Sequence, residues 1–472
     1  MKILIYNWAD IHGTEGGGVN VYVKNIINHL ATMGHDIFYL SSGTKYTRDG
    51  DIKIVQDKDY NKKCRCFYIV NSPVLAPAHS MFKNLDAVFA NQNLKNTFYN
   101  FCMRHNFDII HFNNIEGLSL DILDLRTKMS NTKFIYSFHN YNTVCAQVNL
   151  WYKEYQSCED NENYTKCVDC VIPNDLQKEL EKRICTQQNN GIRVIRYLYR
   201  HYIKKFFHAA EKNKNKTIPP KIEYKKSHQL YKDFVGLCTS KINKNVDYLI
   251  SVSERTKQLV CNRGIRWNNH EVKYIGVNFA ANKHHISNIN INSSDIALGY
   301  LGYMRHDKGY FFLLYMLENI SSDIAKRIHL HLAAKCSQSH EIERLENLSK
   351  RLASITYFNG YNHKNINTIL QNIELGIIPS LWEDCLPQVA YEYVCHGVPI
   401  LVSDMGGARE ISDNELFVYK AKSICSFEER LRYFADNKEK LNTFWDKYNT
   451  PNTVEKHCCD LIKIYTNNNC NS

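Results

Sequence analysis

The chain has 472 residues, of which 44% are hydrophobic and 23% are charged, with a net charge of +11. This composition excludes an intrinsically disordered protein, and the length exceeds what one ordinary core supports, so two domains are predicted. No apolar run approaches the roughly 18 residues that a membrane-spanning helix needs. The first ten residues read as a strand and not as a signal peptide, which predicts a cytoplasmic protein.

The N-terminal half reads as short apolar strands separated by helices. The strand "KILIYNW" precedes a helix from Val19 to about Met33, and the strands "DIFYLSS" and "CFYIV" follow. The strands "FDIIHFNN", "KFIYSFHN" and "YLISVS" come next, and a helix at "ERTKQLVCNRG" follows the last of them. The stretch from about Tyr141 to Asn245 is too long for an ordinary loop, which predicts an insertion with a function of its own.

The C-terminal half alternates more regularly. Its strands are "IALGYLGYM", "RIHLHLAA", "ITYF", "LGIIPS", "PILVSD" and "LFVYK", with helical patterns between them. Such alternation implies parallel sheets covered on both faces by helices. We predict an α/β protein with two doubly wound, Rossmann-like domains facing across a cleft, where ligands bind at the carboxyl ends of strands.

The predicted domain boundaries follow from these patterns. Residues 1–280 form the first domain, including the insertion at about 141–245, and residues 281–440 form the second. A C-terminal helix within residues 441–472 is expected to pack back across the domains. The polar, weakly patterned stretch 277–294 is the predicted hinge.

A glycine-rich turn separates the first strand from the first helix. "TEGGGVNVYVKNIINHL" places Gly16, Gly17 and Gly18 there. Glycines at a helix N-terminus let backbone amides approach an anion, where the helix dipole favours negative charge, although a tight turn alone would also need them. The spacing is not G-x-G-x-x-G, which disfavours a nicotinamide dinucleotide.

A second strand-to-helix junction is basic. In "YLGYMRHDKGYFFLL", Arg305 and Lys308 stand between Gly302 and Gly309. Cations at a helix N-terminus oppose its dipole. The arrangement makes sense if an anion such as a diphosphate lies between them, and a solvated basic loop is the alternative.

Three acids cluster on and before one predicted helix. "WEDCLPQVAYEYVCHGVPI" contains Glu383, Asp384 and Glu392. Carboxylates in this position could bind a metal, act as acid and base, or grip the hydroxyl groups of a sugar. The residues alone leave these three possibilities open.

Four segments resemble one known family. "GGGVNVYVKNIINHLATMGHDIFYLSS", "ISVSERTKQLV", "YLGYMRHDKG" and "IIPSLWEDCLPQVAYEYVCHGVPILVSDMGGARE" look like a GT4-like retaining glycosyltransferase of the GT-B fold. The resemblance covers about residues 1–140 and 246–430 in the right order. It implies transfer of a sugar from a UDP- or GDP-sugar to a glycan or polyprenyl-linked acceptor, with no cofactor required for catalysis.

The resemblance also implies roles for the acids and the basic turn. Glu392 would hydrogen-bond the ribose hydroxyls of the donor, and the first acid would contact hydroxyls of the transferred sugar. Arg305 and Lys308 would neutralise the diphosphate leaving group, with Gly302 beside them. These carboxylates would then hold hydroxyls and need no metal.

Further positions follow from the same resemblance. The glycine loop of the first domain would approach the donor phosphates or the acceptor. Gly406 and Gly407 belong to the donor-binding motif. His139, which ends the strand "YSFH", matches a family histidine that lies against the sugar, although a histidine at a strand end is more often structural.

The chain departs from the family pattern in two places. The spacing to Glu392 favours Asp384 as the first acid, whereas the residue type favours Glu383, so both stay open as catalytic candidates. Where the family has Gly-Arg before the lysine, this chain has Tyr303, and Arg305 is a possible substitute.

The insertion carries a cysteine cluster. Cys145, Cys158, Cys167 and Cys170 follow a C-x12-C-x8-C-x2-C pattern. The last two have chelate spacing, which makes a structural zinc possible, and reduced thiols without a metal are the alternative.

The insertion also carries most of the positive charge. Residues 191–226 contain eleven Lys and Arg against two Glu. "GIRVIRYLYRHYIKKFFHAAEK" reads as a basic amphipathic helix, which predicts peripheral attachment to an anionic membrane surface at its inner face. A helix packed on the first domain is the alternative, and no recognition fold supports nucleic-acid binding.

The sequence therefore predicts a glycosyltransferase of polysaccharide biosynthesis. A sugar-nucleotide epimerase of the same fold and a weakly active or non-catalytic binding subunit are the rivals. Tyr303 and the uncertain first acid are the main support for the non-catalytic alternative.

Overall fold

The computed structural model describes residues 1–13, 15–160, 162–171, 180, 183–184, 221–278, 293–335, 340–362 and 364–466. The strands of the first half are β1 (Lys2–Tyr6), β2 (Asp36–Lys45), β3 (Lys53–Gln56), β4 (Cys64–Val70), β5 (Ile109–Phe112), β6 (Lys133–Phe138), β7 (Trp151–Tyr152), β8 (Gln156–Ser157), β9 (Tyr248–Ser251) and β10 (His270–Val272). Those of the second half are β11 (Ile296–Tyr303), β12 (Ile328–Lys335), β13 (Ser354–Phe358), β14 (Leu375–Ile378), β15 (Ile400–Ser403) and β16 (Val418–Tyr419).

The helices alternate with these strands. They are α1 (Gly17–Thr32), α2 (Leu85–Phe89), α3 (Gln92–His105), α4 (Thr165–Cys170), α5 (Lys221–Asn245), α6 (Glu254–Cys261), α7 (Tyr310–Asn319), α8 (Ser322–Ala325), α9 (His340–Ser349), α10 (Ile366–Leu370), α11 (Gln388–Cys395), α12 (Ile424–Asp436) and α13 (Val454–Thr466). Short 3-10 helices span Ala78–Asn84, Leu120–Thr127, His306–Lys308, Gly407–Ile411, Glu415–Phe417 and Lys438–Lys447.

Two parallel sheets form the cores of two domains. The first has eight strands in the order β10-β9-β6-β5-β1-β2-β4-β3, with the edge strand β3 antiparallel to β4. The second has six strands in the order β13-β12-β11-β14-β15-β16. The predicted α/β fold with two Rossmann-like domains is confirmed.

The apolar strands are explained by burial on both faces. In β1, Ile3, Leu4, Ile5 and Tyr6 are all fully buried, as a central parallel strand covered by helices requires. The strand order reverses at β1 in the first sheet and at β11 in the second, because the strands that follow each of them are added first on one side and then on the other. Ligands of such sheets bind at this switch point, beyond the carboxyl ends of the strands.

The last described helix lies on the first domain. Helix α13 packs against α1. The hydroxyl of Tyr465 lies 2.6 Å from Nδ1 of His111, and Nζ of Lys133 donates to the Tyr465 carbonyl at 3.0 Å. The segment before α13 forms a parallel bridge between Thr453 and Val277, so the points where the chain leaves and re-enters the first domain are joined.

The insertion is described at its two ends. Helix α5 packs against the 3-10 helix Leu120–Thr127, and Lys241 forms an ion pair with Asp124. The predicted basic amphipathic helix within residues 191–212 lies outside the described residues, so attachment to an anionic membrane stays a prediction. Within the described parts of the chain, none of the helices has the length and apolar character needed to span a bilayer.

A buried carboxylate joins the loops that follow β5 and β6. Glu116 accepts hydrogen bonds from Nδ2 of Asn140 at 2.8 Å and from the backbone N–H of Ala78 at 2.6 Å. Burial raises the pKa of Glu116 to about 7 against the pull of these two donors. Asn140 is the neighbour of His139, so the acid braces a loop at the carboxyl edge of the first sheet.

This raised pKa predicts a pH-dependent stability. From about pH 4.5 to about pH 7 the unfolded chain releases the Glu116 proton while the folded chain keeps it, so the free energy of unfolding falls across that window. The loss amounts to about 3 kcal/mol, at about 1.4 kcal/mol per pKa unit. We expect Glu116→Gln to remove this loss, as measured by urea unfolding at pH 5 and pH 8.

The difference between the two proteins isolates Glu116 from other titrating groups. Burial lowers the pKa of histidines such as His111, to about 3 in this case. Such histidines raise the free energy of unfolding as the pH rises, and they do so equally in both proteins. A Glu116→Gln protein that loses as much stability as the original chain between pH 5 and pH 8 would contradict the assignment.

Candidate active site

A cavity of about 580 Å³ lies between the carboxyl edges of the two sheets. The first domain contributes the turn into α1, His139 and Val252, and the second contributes the ends of β11 and β14 and the start of α11. The predicted site residues that line the cavity are Gly17, Gly18, His139, Gly302, Lys308, Asp384 and Glu392. Arg305, Glu383, Gly16, Gly406 and Gly407 do not line it.

The glycine turn lies at the cavity, and two of its three glycines line it. Gly16 has a left-handed φ of 84°, and a Cβ there would lie 2.7 Å from Cβ of Ala9, so Gly16 forms the turn behind the cavity. Gly17 and Gly18 line the cavity at the beginning of α1. The carbonyl of Gly18 accepts a hydrogen bond from Nε2 of Gln388 at 2.7 Å, which crosses the cleft.

His139 is held as a neutral ring. Nδ2 of Asn113 donates to the Tyr6 carbonyl at 3.2 Å, which turns its Oδ1 toward Nε2 of His139 at 3.1 Å. Because an amide oxygen accepts only, Nε2 carries the proton and Nδ1 is the acceptor of the ring. Burial lowers the pKa of His139 to about 3, and the nearby His457 makes a smaller contribution in the same direction.

Tyr22 supports His139 from the other side. Its ring centroid lies 4.6 Å from that of His139, and its hydroxyl lies 2.9 Å from Nε2 of His457 on α13. The C-terminal helix therefore reaches the wall of the cavity through one tyrosine. The sequence pattern gave no sign of this link, because the two residues are 435 positions apart.

The basic turn brings one of its two cations into the cavity. Nζ of Lys308 lies 3.1 Å from Oδ2 of Asp384. Burial alone would lower the pKa of Lys308, but the carboxylates of Asp384 and Asp307 outweigh it and raise the pKa above its usual value. Arg305 instead makes a two-bond pair with Asp307, at 2.7 and 3.0 Å, and its side chain is 63% exposed.

Tyr303 takes the place where an arginine was expected. Its side chain lines the main cavity and an adjoining one of about 400 Å³. It is 58% exposed, and its carbonyl accepts a hydrogen bond from the Tyr300 hydroxyl at 2.9 Å. Arg305, the possible substitute for the family arginine, lies at the protein surface, so its role in holding a diphosphate stays a prediction.

The two candidate first acids point in different directions. Asp384 lines the cavity and pairs with Lys308. Glu383 turns away from the cavity, and both of its oxygens accept hydrogen bonds from Arg255 of the first domain, at 2.9 and 2.5 Å. Of the two, Asp384 can therefore reach a ligand in the cavity.

The glycine pair lies behind this acid loop. The N–H of Gly406 donates to Glu383 at 3.0 Å, and that of Gly407 donates to the Asp384 carbonyl at 2.9 Å. A Cβ on Gly406 would lie 2.3 Å from the Asp384 carbonyl oxygen. The pair holds the loop that carries Asp384, and it does not reach the cavity itself.

Glu392 stands where the two cavities meet. It lines both, and its Oε2 accepts a hydrogen bond from the Tyr361 hydroxyl at 2.6 Å. The adjoining cavity is further lined by Lys335, Gly360 and Asn362. Sequence reasoning missed Tyr361, because the loop after β13 that carries it has no motif of its own.

The four cysteines of the insertion line one small cavity of about 10 Å³, together with Trp151 and Tyr152. All four are free thiols. Burial raises the pKa of Cys167, and Cys145, Cys158 and Cys170 add to the rise, as neighbouring thiols do. In the chain as far as it is described, no three His, Cys, Asp or Glu side chains are arranged to hold a metal ion as they stand.

Two family models match the chain. The model of Glycosyl transferases group 1 matches residues 282–450, and the model of Glycosyltransferase Family 4 matches residues 16–166. No match was found among curated protein sequences.

Solved structures share the fold over the whole chain. Sucrose-phosphate synthase from Thermosynechococcus elongatus has a TM-score of 0.60 at 14% identity and covers 98% of both chains. A glycosyltransferase from Rickettsia africae has a TM-score of 0.54 at 16% identity and covers 100% of this chain and 99% of its own. Anabaena HepE in complex with UDP has a TM-score of 0.55 at 11% identity, over 98% of this chain and 99% of its own.

The turn before α7 generates a prediction about stability. Gly309 has a φ of 70°, and a Cβ there would lie 1.8 Å from the Pro379 carbonyl oxygen. We expect Gly309→Ala to lower the free energy of unfolding by roughly 3 kcal/mol, since it adds a backbone clash to the cost of a left-handed residue. Urea unfolding measures the loss.

Gly34 provides the matched control. Its φ is 86°, and nothing lies within 4 Å of an added Cβ. Gly34→Ala carries the conformational cost alone, about 1 kcal/mol. Equal losses in the two variants would show that the contact with Pro379 does not constrain the turn.

Proposed function

Because the chain belongs to the GT4-like glycosyltransferases of the GT-B fold, we propose that it transfers a sugar from a nucleoside diphosphate donor to a glycan or polyprenyl-linked acceptor with retention of configuration. The observation that carries the proposal is the interdomain cavity lined by Lys308, Asp384, Glu392 and His139. These groups match the charge and the hydroxyls of a nucleoside diphosphate sugar.

In this proposal the donor spans the two joined cavities. Glu392 accepts hydrogen bonds from the ribose hydroxyls, and the base lies in the adjoining cavity beside Tyr361 and Asn362. The diphosphate then lies at Lys308, and the transferred sugar lies between Asp384 and His139. The complex of Anabaena HepE with UDP makes a UDP-sugar the first donor to test.

Charge on the leaving group is the main demand of the reaction. The bond between the anomeric carbon and the diphosphate oxygen breaks, the acceptor oxygen takes its place on that carbon, and the acceptor proton leaves with the diphosphate. Lys308 stabilises the charge that develops on the diphosphate, and one well-placed group of this kind contributes roughly 2.7–4 kcal/mol. The proposal requires no metal or other cofactor for catalysis.

The neutral state of His139 limits its role. A ring with a pKa of about 3 is uncharged at neutral pH, so its Nδ1 accepts a hydrogen bond from a sugar hydroxyl and the ring does not act as a cation. The side chain of Asp384 is 12% exposed, and its carboxylate provides a hydrogen-bond acceptor at the same wall of the cavity. The sugar is thereby held by one neutral group and one carboxylate.

Two rival functions use the same fold. An epimerase would convert a free nucleotide-sugar without any acceptor. A non-catalytic binding subunit would bind the donor without turnover, and the exposed Tyr303 in place of a second cation is the observation that favours it.

Donor binding tests the proposal directly. We expect one member of a UDP-, GDP- and ADP-sugar panel to raise the melting temperature of the chain, and Glu392→Gln to weaken its binding at least about tenfold through the lost charge-assisted bonds. At a hundredfold excess over Kd the stabilisation is about 2.7 kcal/mol. Calorimetry of the same donor gives the Kd of each protein.

Glu455→Gln is the control, because Glu455 is an exposed acid on α13 away from the cavity. It should bind the donor as the original chain does. Equal binding by Glu392→Gln and the original chain would overturn the ribose role. Binding followed by no transfer to any acceptor would favour the non-catalytic rival, and acceptor-free conversion would favour the epimerase.

We also propose that Cys145, Cys158, Cys167 and Cys170 hold a structural zinc. Four thiols around one small cavity suit a tetrahedral thiolate site. Such a site would tie the hairpin β7–β8 to α4, next to the loop that follows His139.

Metal analysis of the purified full chain tests this second proposal. We expect about one zinc per chain, and well below one after Cys167→Ser together with Cys170→Ser, because two ligands are lost. Cys425→Ser is the control, since Cys425 is an exposed thiol on α12. Well below one zinc per chain in the unmodified protein would contradict the proposal.

A further inference from the structure

The beginning of helix α6, in the first domain, hydrogen-bonds to the two residues that flank Asp384 in the second domain. Oγ of Ser253 donates to the Cys385 carbonyl at 2.7 Å. The guanidinium of Arg255 donates to both oxygens of Glu383. Asp384 therefore lies between two residues that the opposite domain holds, one through its main chain and one through its side chain.

The contact between Arg255 and Glu383 is shielded from water. The side chain of Glu383 is 6% exposed and that of Arg255 is 35% exposed. Gly406 adds an N–H to the same carboxylate at 3.0 Å. Removing Arg255 would leave a nearly buried carboxylate without its neutralising charge, which is far more costly than losing an exposed ion pair.

A second carboxylate anchors the same helix. Glu410 accepts the backbone N–H groups of Glu254 at 2.8 Å and Arg255 at 2.7 Å, and the Tyr274 hydroxyl at 2.8 Å. A carboxylate is favoured at this end of a helix, because the dipole is positive there. We call Ser253, Arg255, Glu383, Cys385 and Glu410 the interdomain clamp.

The clamp consists of directional polar contacts at the acid loop, and its two halves belong to different domains. It can therefore form only when the domains stand as they do here. The same loop carries Asp384, whose carboxylate lies 3.1 Å from Lys308. The position of one cavity acid is thus tied to the closure of the cleft.

We infer that Arg255 is a positioning residue, which fixes Asp384 for transfer by holding Glu383 when the domains are closed. The inference rests on the proposed function, because it assigns Asp384 to the transferred sugar. It also gives Glu383 a role distinct from that of Asp384: one acid serves the cavity and its neighbour serves the other domain.

Kinetics of two arginine variants test the inference. Arg344 makes the same two-bond pair with Glu318, at 2.7 and 2.9 Å, but within the second domain. We expect Arg255→Met to lower kcat by about tenfold or more while the donor Kd changes less than about threefold, and Arg344→Met to leave both unchanged. Arg255→Lys should recover part of the kcat, because an ammonium keeps the charge and loses the fork.

Unchanged kcat in Arg255→Met would overturn the inference. A parallel fall in kcat, donor affinity and melting temperature would overturn it too, because that pattern describes a damaged fold. In a double-variant cycle, we expect Glu383→Gln to lower kcat only a little in a protein that already carries Arg255→Met. Additive losses of kcat would show that the two residues act separately and would overturn the inference.

Hydrogen exchange separates this inference from the proposed function. We expect amides 382–386 to exchange faster in Arg255→Met than in Arg344→Met, with or without turnover. If the original chain transfers no sugar from any donor, the proposed function fails while faster exchange at 382–386 still supports the clamp. Unchanged exchange there overturns the clamp, whatever the enzyme activity.

Discussion

Two parallel sheets share one site only if their carboxyl edges face each other, and this chain meets that constraint by passing between its domains at one place. The N–H of Val277 donates to the Asn452 carbonyl at 2.9 Å, and the N–H of Val454 donates back to Val277 at 3.3 Å. A Cβ on Gly276 would lie 2.7 Å from Cα of Val454, so the two passages are in direct contact. Everything that faces the cleft depends on this junction.

Polar side chains make contacts across the cleft in the described part of the chain. Gln388 reaches the Gly18 carbonyl at one side of the cavity, and Arg255 reaches Glu383 behind it. Buried polar contacts add little net stability but fix one arrangement, because any misplaced partner is left without a hydrogen bond. Such an interface suits domains that must separate to admit a ligand and then return to one geometry.

Much of the fold could be predicted from the sequence, because fully buried parallel strands such as β1 leave a continuous apolar run. The resemblance to the family also predicted Lys308, Glu392, Asp384 and His139, all of which line one cavity. His139 directly follows β6, Lys308 lies in the turn between β11 and α7, and Asp384 and Glu392 belong to the loop before α11 and to α11 itself, where sequence motifs mark the place.

The direction of a side chain could not be predicted in the same way. Glu383 and Asp384 are adjacent, and their opposite orientations are set by Arg255, which is 128 residues away from Glu383. Arg305 likewise turns to Asp307 and leaves Tyr303 at the cavity wall. Tyr361 was missed because its partner Glu392 comes from a different part of the chain. The orientations of Glu383 and Glu392 are set by tertiary contacts, which no local spacing records, whereas Arg305 pairs with a residue two positions along the chain.

The bridge between Val277 and Thr453 has a mechanical consequence. Where two segments of one chain lie side by side and are hydrogen-bonded at one point, that point is the pivot for a rotation between the domains, which disturbs the bridge less than a sliding motion would. Displacement in a swing grows with distance from the pivot. The rim of the cleft must therefore travel farthest, while the residues beside the junction hardly move.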